Sequence, residues 1–176
     1  MIAYHTSKPK IILLTILTWI AAIGIAYGND TPKDQESGNL WEFIQGQPTS
    51  NQFFLGMFTF HFTPSSLESR NWNNKLIGLQ YHDFFVGTLE NSFYNRSWTF
   101  GIARNFSRHQ VSNRWEMTTG YRFGGATGYK DGEAPFSGSS PIIPVVELYA
   151  QAIGYKHFGV ELMLTTSLSA SFFYQF

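Results

Sequence analysis

Apolar and polar residues alternate along much of this chain, most plainly where it ends. From Ser167 to Phe176, Leu168, Ala170, Phe172, Tyr174 and Phe176 alternate with Ser167, Ser169, Ser171 and Gln175. Side chains of a strand alternate between its two faces, so this is the signature of a strand with one apolar and one polar face. The same alternation predicts seven earlier strands: Phe53–Thr63, Lys75–Asp83, Phe84–Phe93, Ser97–Phe106, Arg114–Tyr129, Ile142–Gly154 and Phe158–Thr165. On the first, Phe54, Phe58, Phe60 and Phe62 share one face, and Leu55, Met57, Thr59 and His61 share the other. On the fifth, Trp115, Met117, Tyr121 and Phe123 lie together.

The N-terminus changes what these strands mean. Lys8 and Lys10 precede an uncharged apolar run, Ile11–Tyr27, with small residues at Ala26 and Gly28. This reads as a secretory signal peptide over residues 1–28, with a mature start near Asn29. The run is short against the ~20 residues that a membrane-spanning helix needs. No later segment is apolar enough for such a helix. A closed barrel is then the way to cross a bilayer, because every backbone group in hydrocarbon must be paired. The expectation is an all-β fold, an eight-stranded antiparallel transmembrane β-barrel over residues 53–176, apolar outward and polar inward. Residues 29–52 form an N-terminal segment. In it, Leu40, Trp41, Phe43 and Ile44 have the spacing of a short amphipathic helix. With that helix in the periplasm, the links after strands one, three, five and seven face outward. The Ser107–Asn113 link is then long for a periplasmic turn.

Composition fits an outer-membrane location. Aromatics make up 18% of the chain and charged residues 14%, which suits a barrel with aromatic girdles. There is no cysteine, so disulfides and thiolate metal sites are excluded. Net charge is zero, and about −2 once Lys8 and Lys10 leave with the signal, so nothing points to nucleic acid. Neither a metal site nor a cofactor is indicated, and the expected state is a monomer. Glu116, Arg122, Glu147 and Glu161 fall on inward positions and read as a polar network in the lumen. His61, inward near the outer end of strand one, and Ser92, near the outer end of strand three, could supply a base and a hydroxyl at one rim.

Several segments carry a family resemblance. They are Phe58-Thr59-Phe60-His61-Phe62, Leu89-Glu90-Asn91-Ser92-Phe93, the glycine-rich stretch Gly120–Gly128, Pro141-Ile142-Ile143-Pro144-Val145-Val146 followed by Gly154-Tyr155, and the terminal Phe173-Tyr174-Gln175-Phe176. In their order and spacing the chain resembles the lipid A palmitoyltransferase (PagP) family of outer-membrane enzymes. The resemblance implies transfer of a fatty acyl chain from a phospholipid donor to lipid A of lipopolysaccharide, so the implied partners are membrane lipids. It implies catalytic roles for His61 and for the pair Asn91 and Ser92. The family has an aspartate where Asn91 stands, and an asparagine cannot ionise. It also implies a lateral opening to lipid at Pro141 and Pro144. The inward faces of strands one and two, with Leu55, Met57, Thr59, Leu76, Gly78 and Gln80, are expected to line an acyl pocket. Two other readings compete: a non-catalytic structural or lipid-binding barrel, and a lipid A deacylase. The absence of a histidine and a serine two residues apart on one strand weighs against the deacylase.

Overall fold

The structure, a computed structural model, describes residues 45–62, 70–134, 136–138 and 140–176. The stretch read as a signal peptide, the apolar stripe Leu40–Ile44 and most of the first long loop lie outside the described residues. Eight strands, β1 (Gln52–His61), β2 (Ile77–Tyr81), β3 (Phe84–Glu90), β4 (Arg96–Ser112), β5 (Trp115–Ala126), β6 (Ile143–Gly154), β7 (Phe158–Leu164) and β8 (Ser167–Gln175), form a barrel. Each pairs antiparallel with the next, and β8 closes back onto β1 from Gln52↔Gln175 to His61↔Ser167. Closure leaves no free sheet edge around the waist of the barrel. Tight turns join β2 to β3, β4 to β5 and β6 to β7 at one end. At the other end, the loop end, lie the longer connections and His61.

The expected alternation holds on most strands, and its one failure has a clear cause. In β1 a bulge interrupts the pairing with β8 between Leu55 and Met57. The inserted residue is Gly56, at φ 70°. An extra residue inverts the alternation. Phe54 therefore packs inside with Phe173 (ring centroids 5.6 Å apart), while Phe58 and Phe60 remain outside. Leu55, expected in the lumen, is instead outside and 51% exposed. Nothing lies within 4 Å of where a Cβ at Gly56 would sit, so an alanine there meets only backbone strain. Gly56→Ala should cost about 1 kcal/mol, measured by urea unfolding of the folded barrel, with no other change in its properties.

Strand lengths also differ from expectation. β2 covers only Ile77–Tyr81 of the expected Lys75–Asp83, because backbone φ turns positive at both ends: 49° at Lys75, 46° at His82 and 71° at Asp83. Residues 71–76 replace the missing part of β2 by bonding to both neighbours. Thr59 N–H donates to Trp72 O (2.8 Å), Asn74 N–H to Met57 O (2.8 Å) and Glu90 N–H to Asn74 O (2.7 Å). β4 runs on to Ser112, so Ser107–Asn113 is not a long link. It is one arm of a hairpin that projects beyond β3, with bulges at 105/107 and 110/112. Gln47 caps its free edge through paired backbone hydrogen bonds with Asn105, at 2.7 and 2.9 Å.

The centre of the interior is charged. Arg122 on β5 meets Glu161 on β7 in a bidentate pair, Nη1–Oε1 2.8 Å and Nη2–Oε2 2.7 Å. Gln80 Oε1 accepts from Arg122 Nε and Nη2 at 3.3 Å each, and Glu147 Oε2 lies 3.7 Å from Nη1. Gln151 donates to the same Glu161 carboxylate at 2.7 Å and exchanges hydrogen bonds with Gln52 at 2.9 and 3.0 Å. The guanidinium also sits over the rings of Phe54 and Tyr149, 4.9 and 4.8 Å from their centroids. The expected lumen network thus forms around Arg122, Glu147 and Glu161. Glu116 lies apart from it, paired with Arg108 at 3.2 Å. Beside the network, Phe54, Leu76, Ile153 and Phe173 make a small apolar core, with Met57 and Leu89 packed against it.

Candidate functional site

His61 is the last residue of β1, at the loop end. The backbone of Asn71 lies beside its imidazole, and the Arg70 guanidinium is close enough to act on it electrostatically. Its Nε2 is buried and has no hydrogen-bond partner among the described residues. Buried polar nitrogens are nearly always paired, so an unpaired one at a barrel mouth is a candidate functional group. Ser92 follows β3. Its carbonyl accepts from Asn71 N–H at 3.0 Å. Asn71 thus joins the two expected residues, contacting His61 on one side and Ser92 on the other.

Asn91 is held differently. It is 1% exposed, and its amide is fully engaged. Nδ2 donates to Gly128 O (2.9 Å) and Ser97 Oγ (3.0 Å). Oδ1 accepts from the backbone N–H groups of Phe93 (2.9 Å) and Asn95 (3.0 Å). These four bonds fold the β3–β4 loop and fasten it to the end of β5, so Asn91 has no donor left for an oxyanion. An aspartate there would point an oxygen at the Gly128 carbonyl. Asn91→Asp should therefore lose about 1–3 kcal/mol of stability, read from denaturant unfolding, and should not raise activity. Glu90, the neighbouring carboxylate, pairs with Lys75 at 2.8 Å.

Two further residues complete the mouth. Arg70 lies over the Phe93 ring, 4.4 Å from its centroid. Tyr129, just beyond β5, packs edge-on against the same ring with centroids 6.4 Å apart. Burial, reinforced by the charges of Glu147 and Glu133 and opposed by Arg70, raises the Tyr129 phenol above its ordinary pKa, so it stays a neutral donor at pH 7. Sequence reasoning missed Arg70, Asn71 and Tyr129. All three lie in irregular connections, where alternation says nothing about direction.

The expected pocket residues are partly gathered. Met57, Thr59, Leu76, Gly78 and Gln80 line the interior, and Leu55 does not. Those that face inward have partners. Leu76 belongs to the apolar core and Met57 packs on it. Thr59 Oγ1 bonds to Asn74 Oδ1 (2.6 Å) and Ser169 Oγ (2.8 Å), and Gln80 serves Arg122.

The wall itself is uneven. β6 pairs with β7 only from Leu148↔Leu164 to Gly154↔Phe158. Above that level, Ile143–Glu147 pair with β5 alone, and β7 has already turned into β8. This leaves a notch in the wall at the loop end. Pro144 lies in the unpaired stretch and Pro141 just before it, both exposed. A proline has no N–H to leave unpaired at such an edge. Among the described residues no cluster of histidine, cysteine, aspartate or glutamate has the makings of a metal site. The chain matches no known protein-family model and no curated protein.

Proposed function

We propose that this chain is an outer-membrane acyltransferase of the PagP type, moving a fatty acyl chain from a phospholipid to lipid A. The membrane part of this reading rests on one observation: the barrel is inside out. Leu55, Phe60, Ile77, Phe84, Trp98, Phe123 and Phe172 are exposed around its outside, while Arg122, Glu161, Gln80 and Gln52 are sealed within. A continuous apolar belt of this kind far exceeds the patches that water-soluble monomers leave exposed. Outer-membrane barrels keep short turns in the periplasm and longer loops outside. That orientation puts His61 and the notch beside β6 level with the outer leaflet, where lipid A resides.

The chemistry assigned to the mouth is base-assisted acyl transfer. His61 Nε2 accepts the proton of a lipid A hydroxyl as its oxygen attacks the donor ester carbonyl. The ester C–O bond then breaks, and the proton passes to the departing alkoxide, leaving a lysophospholipid. Ser92 orients the ester. Lipids enter through the notch that Pro141 and Pro144 flank. An acyl chain seated beside Leu76, Gly78 and Gln80 must displace Met57 and Leu89 from their packing on the core.

A second reading, a non-catalytic barrel, is favoured by the complete engagement of Asn91. Mass spectrometry of lipid A from cells with and without the protein decides between them. One added acyl chain supports the transferase. An unchanged lipid A supports the non-catalytic barrel, and a lost chain supports a deacylase.

A further inference from the structure

At the opposite end of the barrel from His61 lies a pocket of about 400 Å³, lined by Thr49, Ser50, Asn51, His82, Lys156, His157, Gln175 and Phe176. No residue of the mouth contributes to it. Its walls come from four places in the chain: the segment leading into β1, the β2–β3 turn, the β6–β7 turn and the end of β8. Backbone bonds hold them together. Phe176 N–H donates to Asn51 O (3.1 Å), and Gln175 N–H to His157 O (2.6 Å). His82 N–H donates to Asn51 Oδ1 (3.1 Å). The turns are built at some cost, since His82 (φ 46°) and Lys156 (φ 67°) both adopt left-handed backbone conformations that non-glycine residues usually avoid.

The pocket offers two kinds of recognition. Three basic side chains, Lys156, His82 and His157, line it, and all three are exposed. His157 uses Nδ1 on Gln175 O (3.0 Å), which leaves Nε2 toward solvent. Asp83, the carboxylate of the β2–β3 turn, is already bound by Arg104 (2.7 Å) and Thr49 N–H (2.6 Å). Lys156 has no ion pair among the described residues. The second kind is an unmet acceptor. Gln175 Nε2 donates to Lys156 O (3.4 Å), and Gln175 Oε1 is buried with no hydrogen-bond partner among the described residues. A buried acceptor left unpaired costs free energy that a donor group would recover. Reaching it requires a covering side chain to move, and Lys156 and Phe176 are both exposed.

A cationic cluster beside an unmet acceptor matches a ligand carrying an anion and an N–H donor a few ångströms apart. We infer that this pocket binds the phosphoethanolamine headgroup of a membrane phospholipid, its phosphate on Lys156 and His157 and its ammonium on Gln175 Oε1. The setting supplies the lipid: the exposed rings of Tyr81, Phe158 and Tyr174 flank this end of the wall, where acyl chains would lie. The choice of a membrane lipid rests on the membrane-spanning reading, but not on acyl transfer.

Native mass spectrometry of the protein released from bilayers that contain equal phosphatidylethanolamine, phosphatidylcholine and phosphatidylglycerol tests this. One retained phosphatidylethanolamine, favoured roughly tenfold over phosphatidylcholine, is expected, since a trimethylated ammonium has no N–H for Gln175. Gln175→Leu should erase that preference while the barrel stays folded, and Lys156→Ala should weaken retention of all phosphate headgroups. Equal retention of phosphatidylethanolamine and phosphatidylcholine by the folded, inserted protein would overturn the inference, as would a preference untouched by Gln175→Leu. If the protein does not insert at all, the membrane reading fails separately. Titration with water-soluble glycerophosphoethanolamine, followed by shifts of the His82 and His157 ring resonances, then decides the pocket: saturable shifts support it and none refutes it.

Discussion

Arg122→Ala should be the most damaging single substitution in the barrel, lowering its stability by about 3–5 kcal/mol. The change strips the fully buried Glu161 carboxylate of its bidentate partner and leaves it only the Gln151 amide at 2.7 Å. It also removes the cation from above Phe54, Phe85 and Tyr149 and frees the Gln80 oxygen, so several groups lose partners together. Glu161→Ala should cost a similar amount, because it leaves Glu147, at 3.7 Å, as the one carboxylate beside the guanidinium among the described residues. The double variant Arg122→Leu with Glu161→Leu separates two explanations. Replacing both members of a buried pair by apolar residues is often neutral, whereas removing one strands a charge. The double variant should therefore be more stable than either single variant. Unfolding in urea, followed by loss of the folded gel species, measures all three. A single variant as stable as the parent would mean that the interior is wet and the pair is screened by water.

His61→Ala should reduce acyl transfer about 10²–10⁴-fold, the range associated with losing a general base. The substitution should leave the barrel folded, since His61 is the last residue of its strand and its Nε2 makes no hydrogen bond among the described residues. Ser92→Ala should also lower transfer, while Asn91→Asp should lower it only through the stability that its four loop bonds supply. This contrast separates a residue that acts on substrate from one that holds the mouth in shape. The readout is acyl transfer into lipid A per folded barrel, counted by the heat-modifiable band. Full activity in His61→Ala protein would remove His61 from the chemistry and favour the non-catalytic barrel.

Much of the architecture was legible because one rule, alternation with period 2, governs every strand. β8 follows that rule without interruption, and its outward Leu168, Phe172 and Tyr174 are where the alternation puts them. The charged interior was legible for the same reason, as Arg122 and Glu161 occupy positions of the inward parity. Gly56 marks where the rule stops. A bulge adds one residue and reverses the parity, and a lone glycine after three apolar residues does not announce it. That reversal put Leu55 outside and Phe54 inside. The length of β2 and the reach of β4 were hidden for a related reason: strand ends are set by turns such as His82-Asp83, whose left-handed backbone lacks a glycine to signal it. At the mouth, alternation placed His61 at the rim but said nothing of the Asn91 amide or of Asn71. Their directions come from loop hydrogen bonds that join residues 20 to 37 positions apart.

The inside-out barrel underlies everything assigned to the mouth and to the opposite pocket, and the outward tryptophans report on it directly. Trp98 and Trp115 are exposed on the outer face of β4 and β5. In vesicles whose phospholipids carry bromine on their acyl chains, tryptophan emission should be strongly quenched, and quenching should fall when Trp98 and Trp115 are both replaced by phenylalanine. Emission indifferent to the brominated lipid, from a protein that stays monomeric in water without detergent, would contradict a membrane-spanning barrel.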